Sequence, residues 1–103
     1  MRSFDPVSLR LFIAVCEERN IAAAARREAI VPSAVSKRIS QMEDEAGVAL
    51  LERGRRGVAL TPAGETLCRY ARDMLHLLDR MLAELGAFAE GVRSGAIAGA
   101  TGT

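Results

Sequence analysis

With 103 residues, the chain is long enough for one small domain and an appendage, and 14 basic against 13 acidic side chains leave its bulk charge silent about a nucleic-acid partner. It has no Trp, and its aromatics are Phe4, Phe12, Tyr70 and Phe88. With abundant Ala and Leu, this composition favours helices over a sheet-built core. No apolar run approaches the length of a membrane span. The longest near the start, residues 11–16, is bounded by Arg10, Glu17 and Glu18, which makes a poor signal sequence, so a cytoplasmic protein is expected.

Charge distribution says more than the total. Residues 29–42 carry Lys37 and Arg38 and no acid; residues 53–64 carry Arg53, Arg55 and Arg56 and again no acid. The carboxylates collect at Glu17 and Glu18, at Glu43, Asp44 and Glu45, and along the last predicted helix. Two separated basic islands in a neutral chain are a soft electrostatic footprint.

Asp5-Pro6-Val7-Ser8 opens the first predicted helix: Asp5 can accept from free N–H groups, and Pro6 suits the first helical position. Leu9, Phe12, Ile13 and Cys16 then recur on one core-facing stripe, and the helix is expected to end near Arg19-Asn20. Asn20 caps a second, short helix through IAAAARRE, where Ala22 to Ala25 hold little volume and let a neighbour pack close. Such a run fits mere helix propensity, but a short capped helix followed by a break better fits the first half of a helix-turn-helix. Ile30 is expected to pin the turn into the core. Pro32 disfavours helix at Val31 and suits the start of the next one; Val31 is a poor cap and Ser33 is the alternative, which fixes that start only to about two residues.

In residues 33–45, Val35, Ile39 and Met42 share one face, continued by Ala46. Ser33, Lys37, Ser40 and Gln41 share the opposite face, flanked by Ala34 and Ser36. That outer face is small, hydroxylated and cationic, with no carboxylate before Glu43, and it suits close approach to a DNA groove. Taken alone it reads as readily as a solvated helix face; its surroundings decide.

Gly47 ends this helix. Residues 50–53 and 58–60 are short strand candidates joined by Gly54-Arg55-Arg56-Gly57, an ordinary solvated turn in isolation but a wing directly after a helix-turn-helix. Thr61-Pro62 starts the last helix, with Glu65 placed where the helix dipole favours it. Along it Leu67, Ala71, Met74, Leu78, Met81, Leu85, Phe88 and Val92 alternate at heptad spacing, widened by Cys68, Leu75, Leu82 and Ala89. A head of this size cannot cover so long a stripe, so a partner helix is expected rather than folding back on the head. Gly86 weakens the seam and marks a place for fraying or bending. Residues 91–103 hold four glycines without apolar periodicity and read as a linker or tail.

Cys16 and Cys68 fall on apolar stripes of two helices and are most simply small buried hydrophobes rather than a redox pair. His76 is the only histidine, with Asp73, Asp79 and Arg80 near it, and reads as a solvated flank of the last helix. No metal spacing, phosphate loop or nucleophile–base pair is present, so neither enzymatic activity nor a cofactor is expected. A pure dimerisation or adaptor module is the rival reading, since the heptad alone permits it.

The succession LRLFIAVCEERNIAAAARRE, then IVPSAVSKRISQMEDEAGVALLERGRRGVALTPAGE, resembles the N-terminal DNA-binding region of LysR-type transcriptional regulators over residues 5–90. The resemblance implies a mainly α fold: a winged helix-turn-helix head of three helices and a two-stranded wing over residues 1–61, a dimerisation linker helix over 62–90, and a tail over 91–103. It also implies a C-terminal effector-binding domain that this sequence lacks, as in a fragment or a truncated reading frame, so a small-molecule effector would act only through that absent domain. The departures are Val31-Pro32-Ser33 where many members carry Ser-Gln-Pro, Glu28 where a Leu is usual, and Leu51 where a Phe is common.

The DNA-binding set expected on this reading is Pro32, Ser33, Ala34, Ser36, Lys37, Arg38, Ser40 and Gln41 with Arg53, Arg55 and Arg56. Lys37 is expected at a base edge, Ser33 and Ser36 at bases or phosphate, Ala34 at a thymine methyl, and Arg38, nearer the packed side, at a phosphate. Arg55 and Arg56 are expected in or beside the minor groove, while Arg53 has a structural alternative. The partners expected are double-stranded DNA with an imperfect dyad operator and a second copy of the chain, as a homodimer or a tetramer, with no membrane. Dimerisation is assigned to Leu67, Ala71, Met74, Leu78, Met81, Leu85 and Phe88.

Overall fold

The computed structural model describes residues 2–94. After a 3-10 turn over Arg2–Phe4 come α1 (Pro6–Glu18), α2 (Ile21–Glu28), α3 (Pro32–Ala46), the antiparallel pair β1 (Leu51–Gly54) and β2 (Gly57–Leu60), and α4 (Pro62–Ser94). Among the described residues, no helix is long and apolar enough to cross a membrane.

The caps do much of the segmentation. Asp5 Oδ1 accepts from the Ser8 N–H at 2.8 Å to open α1, and Asn20 Oδ1 accepts from the Ala23 N–H at 2.8 Å to open α2. α1 ends on Arg19 and α2 on Ala29, both in the left-handed region (φ 57° and 59°), a conformation that costs a side-chain-bearing residue about 1–2 kcal/mol. α3 begins at Pro32: Val31 is extended, makes no side-chain cap, and its carbonyl receives the Ala34 and Val35 N–H groups. Ser33 therefore lies inside the first turn, because proline, which needs no partner for a missing N–H, already occupies the first position. Gly47 closes α3 at φ 74°.

The apolar stripe expected on α1 is too narrow. Leu11, Ala14 and Val15 are buried together with Leu9, Phe12, Ile13 and Cys16, so α1 is enclosed on most sides by α2, α3 and α4. The largest fully buried side chains are Phe12, Leu11, Ile39, Met42, Val15 and Val35. Ala24 and Ala25 carry the buried face of α2, and Ile30 packs half-buried against the same core, pinning the turn as its position predicts.

Leu51 faces Leu60 across the ribbon and Gly54 faces Gly57, leaving Arg55 and Arg56 at the tip. β1 begins one residue later than the strand candidate at Leu50. Thr61 opens α4: its hydroxyl accepts from the Gly64 N–H at 3.0 Å and donates to the Ala49 carbonyl at 2.7 Å. α4 then runs unbroken through Gly86 to Ser94, past the boundary at 90 drawn from the sequence. One glycine costs a helix about 1 kcal/mol, and the Ala- and Leu-rich turns around it absorb that. The rest of the predicted tail, residues 95–103, lies outside the described residues.

Cys16 and Cys68 are buried where α1 meets α4, and both are free thiols. Burial, then the hydrogen bond with Cys68, pushes the Cys16 thiol far above its ordinary value. A thiol so protonated is a small hydrophobe and a poor nucleophile.

Candidate nucleic-acid interface

α3 is anchored through Val35, Ile39 and Met42, each fully buried. With those three inward, helical geometry turns Ser33, Lys37, Ser40 and Gln41 to solvent, and Pro32 is exposed at the start. Ala34, Ser36 and Arg38 are half-buried on the flanks. Among the described residues, Lys37 has no hydrogen-bonding or ionic partner, so its ammonium stands ready for an external acceptor.

The first carboxylate after this face is engaged by the fold itself. Glu43 is turned away from the exposed stripe, and its Oε2 accepts from the Leu50 N–H at 2.8 Å and the Leu51 N–H at 3.2 Å. That one oxygen ties the last turns of α3 to the entrance of β1, fixing the ribbon relative to the helix. Periodicity marks Glu43 only as the end of an acid-free run; a side chain closing a loop seven residues on leaves no such mark.

The ribbon is anchored at two more points. The Val58 N–H donates to the carbonyl of Arg19, the left-handed residue ending α1, at 3.2 Å. Gly57, at φ 115°, sits so close that a Cβ there would collide with that same carbonyl. At the root of α4, Gly64 packs directly on the Leu50 carbonyl, leaving no room for a side chain. Arg53, Arg55 and Arg56 are all exposed on the ribbon, without an ionic partner among the described residues. Glu52 pairs with Ala59 and Arg53 with Val58, so alternation sends the acid and the base to opposite faces.

Other arginines are already occupied. Arg27 bonds Glu17 at 2.7 Å and lies 3.4 Å from Glu18, and Arg72 bonds Glu17 at 3.1 Å. Arg19 Nε donates to the Cys16 carbonyl at 3.0 Å. Arg38 Nη1 donates to Ser8 Oγ at 3.1 Å, a contact that its position nearer the packed side only hinted at.

On α4 the expected seam divides. Ala71 is fully buried in the chain's own core beside Cys68, and Leu67 and Leu75 pack against that core, so Ala71 and much of Leu67 are covered from within. Beyond them Met74, Met81, Leu85, Phe88 and Val92 lie exposed, Phe88 at 63%, with Leu78 half-buried. Leu77, equally exposed at 63%, was outside the expected seam; the run Tyr70, Met74, Leu77, Met81 at helical spacing is its signal.

A three-helix head with the second and third helices joined by a tight turn, followed by an antiparallel ribbon and a long helix, is a winged helix-turn-helix. Residues 7–65 match the model of the bacterial regulatory helix-turn-helix proteins of the lysR family, and the chain belongs to that family. Among its relatives, the HTH-type transcriptional regulator ClcR of Pseudomonas putida is 49% identical over 71 residues, which are 69% of this chain and 24% of ClcR. The HTH-type transcriptional activator AllS of Klebsiella pneumoniae is 40% identical over 92 residues, 89% of this chain and 34% of AllS. The chain thus spans about a quarter to a third of these curated relatives. The fold is also that of BenM_DBD in its complex with catB site 1 DNA (TM-score 0.82, 36% identity, 85% of this chain and 99% of that one). The CbnR_DBD–DNA complex is similar too, at TM-score 0.79 and 37% identity, covering 84% and 99%.

Proposed function

We propose that this chain is the DNA-binding portion of a transcriptional regulator, acting as a dimer on an imperfectly dyad-symmetric operator. The observation that carries this is the division of α3: Val35, Ile39 and Met42 wholly buried, Ser33, Lys37, Ser40 and Gln41 open, and the Lys37 charge unpaired. In this reading residues 1–61 form the DNA-binding head, 62–90 the dimerisation helix and 91–103 a linker or tail. The protein works in the cytoplasm and is not an enzyme.

α3 enters the major groove with Pro32 at its leading end. Lys37 reaches a guanine O6/N7 or a thymine O4, Ser33 and Ser36 donate to bases or phosphate, and Ala34 meets a thymine methyl; Ser40 and Gln41 complete the facing surface. Arg38 holds a phosphate. Arg55 and Arg56, at the tip of the ribbon, lie in or beside the minor groove, with Arg53 behind them. Two heads joined through Met74, Leu78, Met81, Leu85 and Phe88 read half-sites about one helical turn apart, ~34 Å, or a multiple of it. A tetramer would join two such pairs through a further surface.

Selection of bound oligonucleotides from a random pool, followed by titration against salt, tests this. Lys37→Ala is expected to cost about 1–3 kcal/mol on the selected site and to relax one position, whereas Arg55→Glu with Arg56→Glu weakens binding to every sequence. A chain that binds no duplex at low salt and ignores charge reversal at the ribbon is instead a dimerisation module.

A further inference from the structure

Ser8 stands out as a polar side chain within the core, only 3% exposed on the first turn of α1. Its hydroxyl accepts from Arg38 Nη1 at 3.1 Å, across the junction of α1 with α3. Asp5 Oδ1, which caps α1 through the Ser8 N–H at 2.8 Å, lies 3.8 Å from the same guanidinium nitrogen. The three residues form a relay: Asp5 fixes the first turn, the turn presents the hydroxyl, and the hydroxyl takes one of the five donors of Arg38.

This is not how the chain treats an arginine whose only task is to tie helices together. Arg27, in such a tie, has a carboxylate at 2.7 Å with further ones at 3.4 and 3.6 Å. Arg38 is oriented by a neutral oxygen, its contact with the Asp5 carboxylate is a long 3.8 Å, and 40% of its side chain remains open. It is held in direction by a neutral hydroxyl, with Asp5 as a loose ionic neighbour. The cleft beside Arg38 is lined by Arg2, Asp5 and Gln41, with Asp44 and Glu45 on the later turns of α3, so of the positions on α3 only the Arg38–Gln41 end offers an anion a surface without a carboxylate of that helix.

We propose that Ser8 and Asp5 are positioning residues for DNA binding: they hold the Arg38 guanidinium ready to clamp a backbone phosphate beside the groove that α3 enters. This rests on the reading of α3 as the recognition helix. An arginine already ordered in the free protein loses less rotamer freedom when it meets the phosphate, so the gain appears in affinity without any contact between Ser8 and DNA.

The test uses the full chain and a labelled duplex of scrambled sequence, titrated over a range of salt. Arg38→Ala is expected to weaken binding about tenfold and to reduce the log–log salt slope by about 0.9, one phosphate contact. Ser8→Ala is expected to weaken it roughly threefold to tenfold with the slope unchanged, and to do nothing further once Arg38 is Ala. Ser8→Thr, which keeps the hydroxyl, retains wild-type affinity. If Ser8→Ala folds poorly, Ser8→Cys, nearly isosteric with a weak acceptor, takes its place. Equal losses in both backgrounds, no loss from Ser8→Ala, or an unchanged slope in Arg38→Ala overturns the positioning role. Lys37→Ala is the control: binding weakened by it but not by the Arg38 and Ser8 variants sinks this inference alone. Binding indifferent to all three sinks the recognition-helix reading as well.

Discussion

The head and the far half of α4 are built from the same kinds of aliphatic and aromatic side chains, yet they end in opposite states. In the head Phe12, Ile39 and Met42 are fully enclosed, and the first turns of α4 join them through Cys68 and Ala71. From Met81 to Val92 the large apolar residues are about half exposed, although their helical spacing is as regular as that on α1. A periodic apolar stripe specifies a face; whether the chain can cover that face depends on what else it brings within reach. The head is closed by its own sequence, and the helix beyond it carries an apolar face that its own chain leaves open among the described residues.

The sharpest way to test this division is to damage each side separately. Phe12→Ala removes an aromatic ring from a site with no solvent contact and is expected to cost about 3–5 kcal/mol in urea denaturation, enough to unfold a small domain. Leu85→Asp with Phe88→Asp is expected to do the reverse. Sedimentation should give a monomer while the secondary structure of the head survives; a variant that stays dimeric would move the interface elsewhere. A subtler probe lies inside the head, at the turn between α2 and α3. Ala29 holds φ 59°, so Ala29→Gly is expected to stabilise the fold by about 0.5 kcal/mol, the relief of left-handed strain exceeding the entropy cost of glycine.

The smallest effect concerns the surface link between the head and α4. Arg27, then Arg72, hydrogen-bond to Glu17 and hold its carboxyl below the usual carboxylate range. That stabilisation is complete above the ordinary carboxylate pKa and is lost as pH falls through the lowered folded value. Glu17→Gln should therefore show a slightly smaller drop in denaturation midpoint between neutral pH and about pH 3 than the unaltered chain. The effect stays small because all three side chains are substantially exposed and screened.

Much of the head was legible because local signals agreed with one another. Asp5, Asn20, Gly47 and Thr61 each mark a helix end and each does so in the fold, and Val35, Ile39 and Met42 face inward as their spacing requires. The features that sequence reading missed are carried by contacts between distant segments. Glu43 clasping the start of β1, Ser8 holding Arg38, and Gly64 lying on Leu50 depend on where the chain returns, which periodicity does not encode. The start of the seam on α4 is covered within the chain for a related reason. Ala71 and Leu77 both fit an apolar helical pattern, and only the position of α1 determines that the first is covered and the second left open.

The contact between Gly64 and Leu50 also has a mechanical side. α4 is a rod of 33 residues, about 50 Å at 1.5 Å per residue, and its root sits against the backbone leading into the ribbon with no slack for even a methyl group. A tilt of ten degrees at that root corresponds to a swing of about 9 Å at the far tip. The close seat of Gly64 on Leu50 therefore sets where that far tip lies relative to the arginine-bearing ribbon, and a methyl group added at Gly64 would push the two apart.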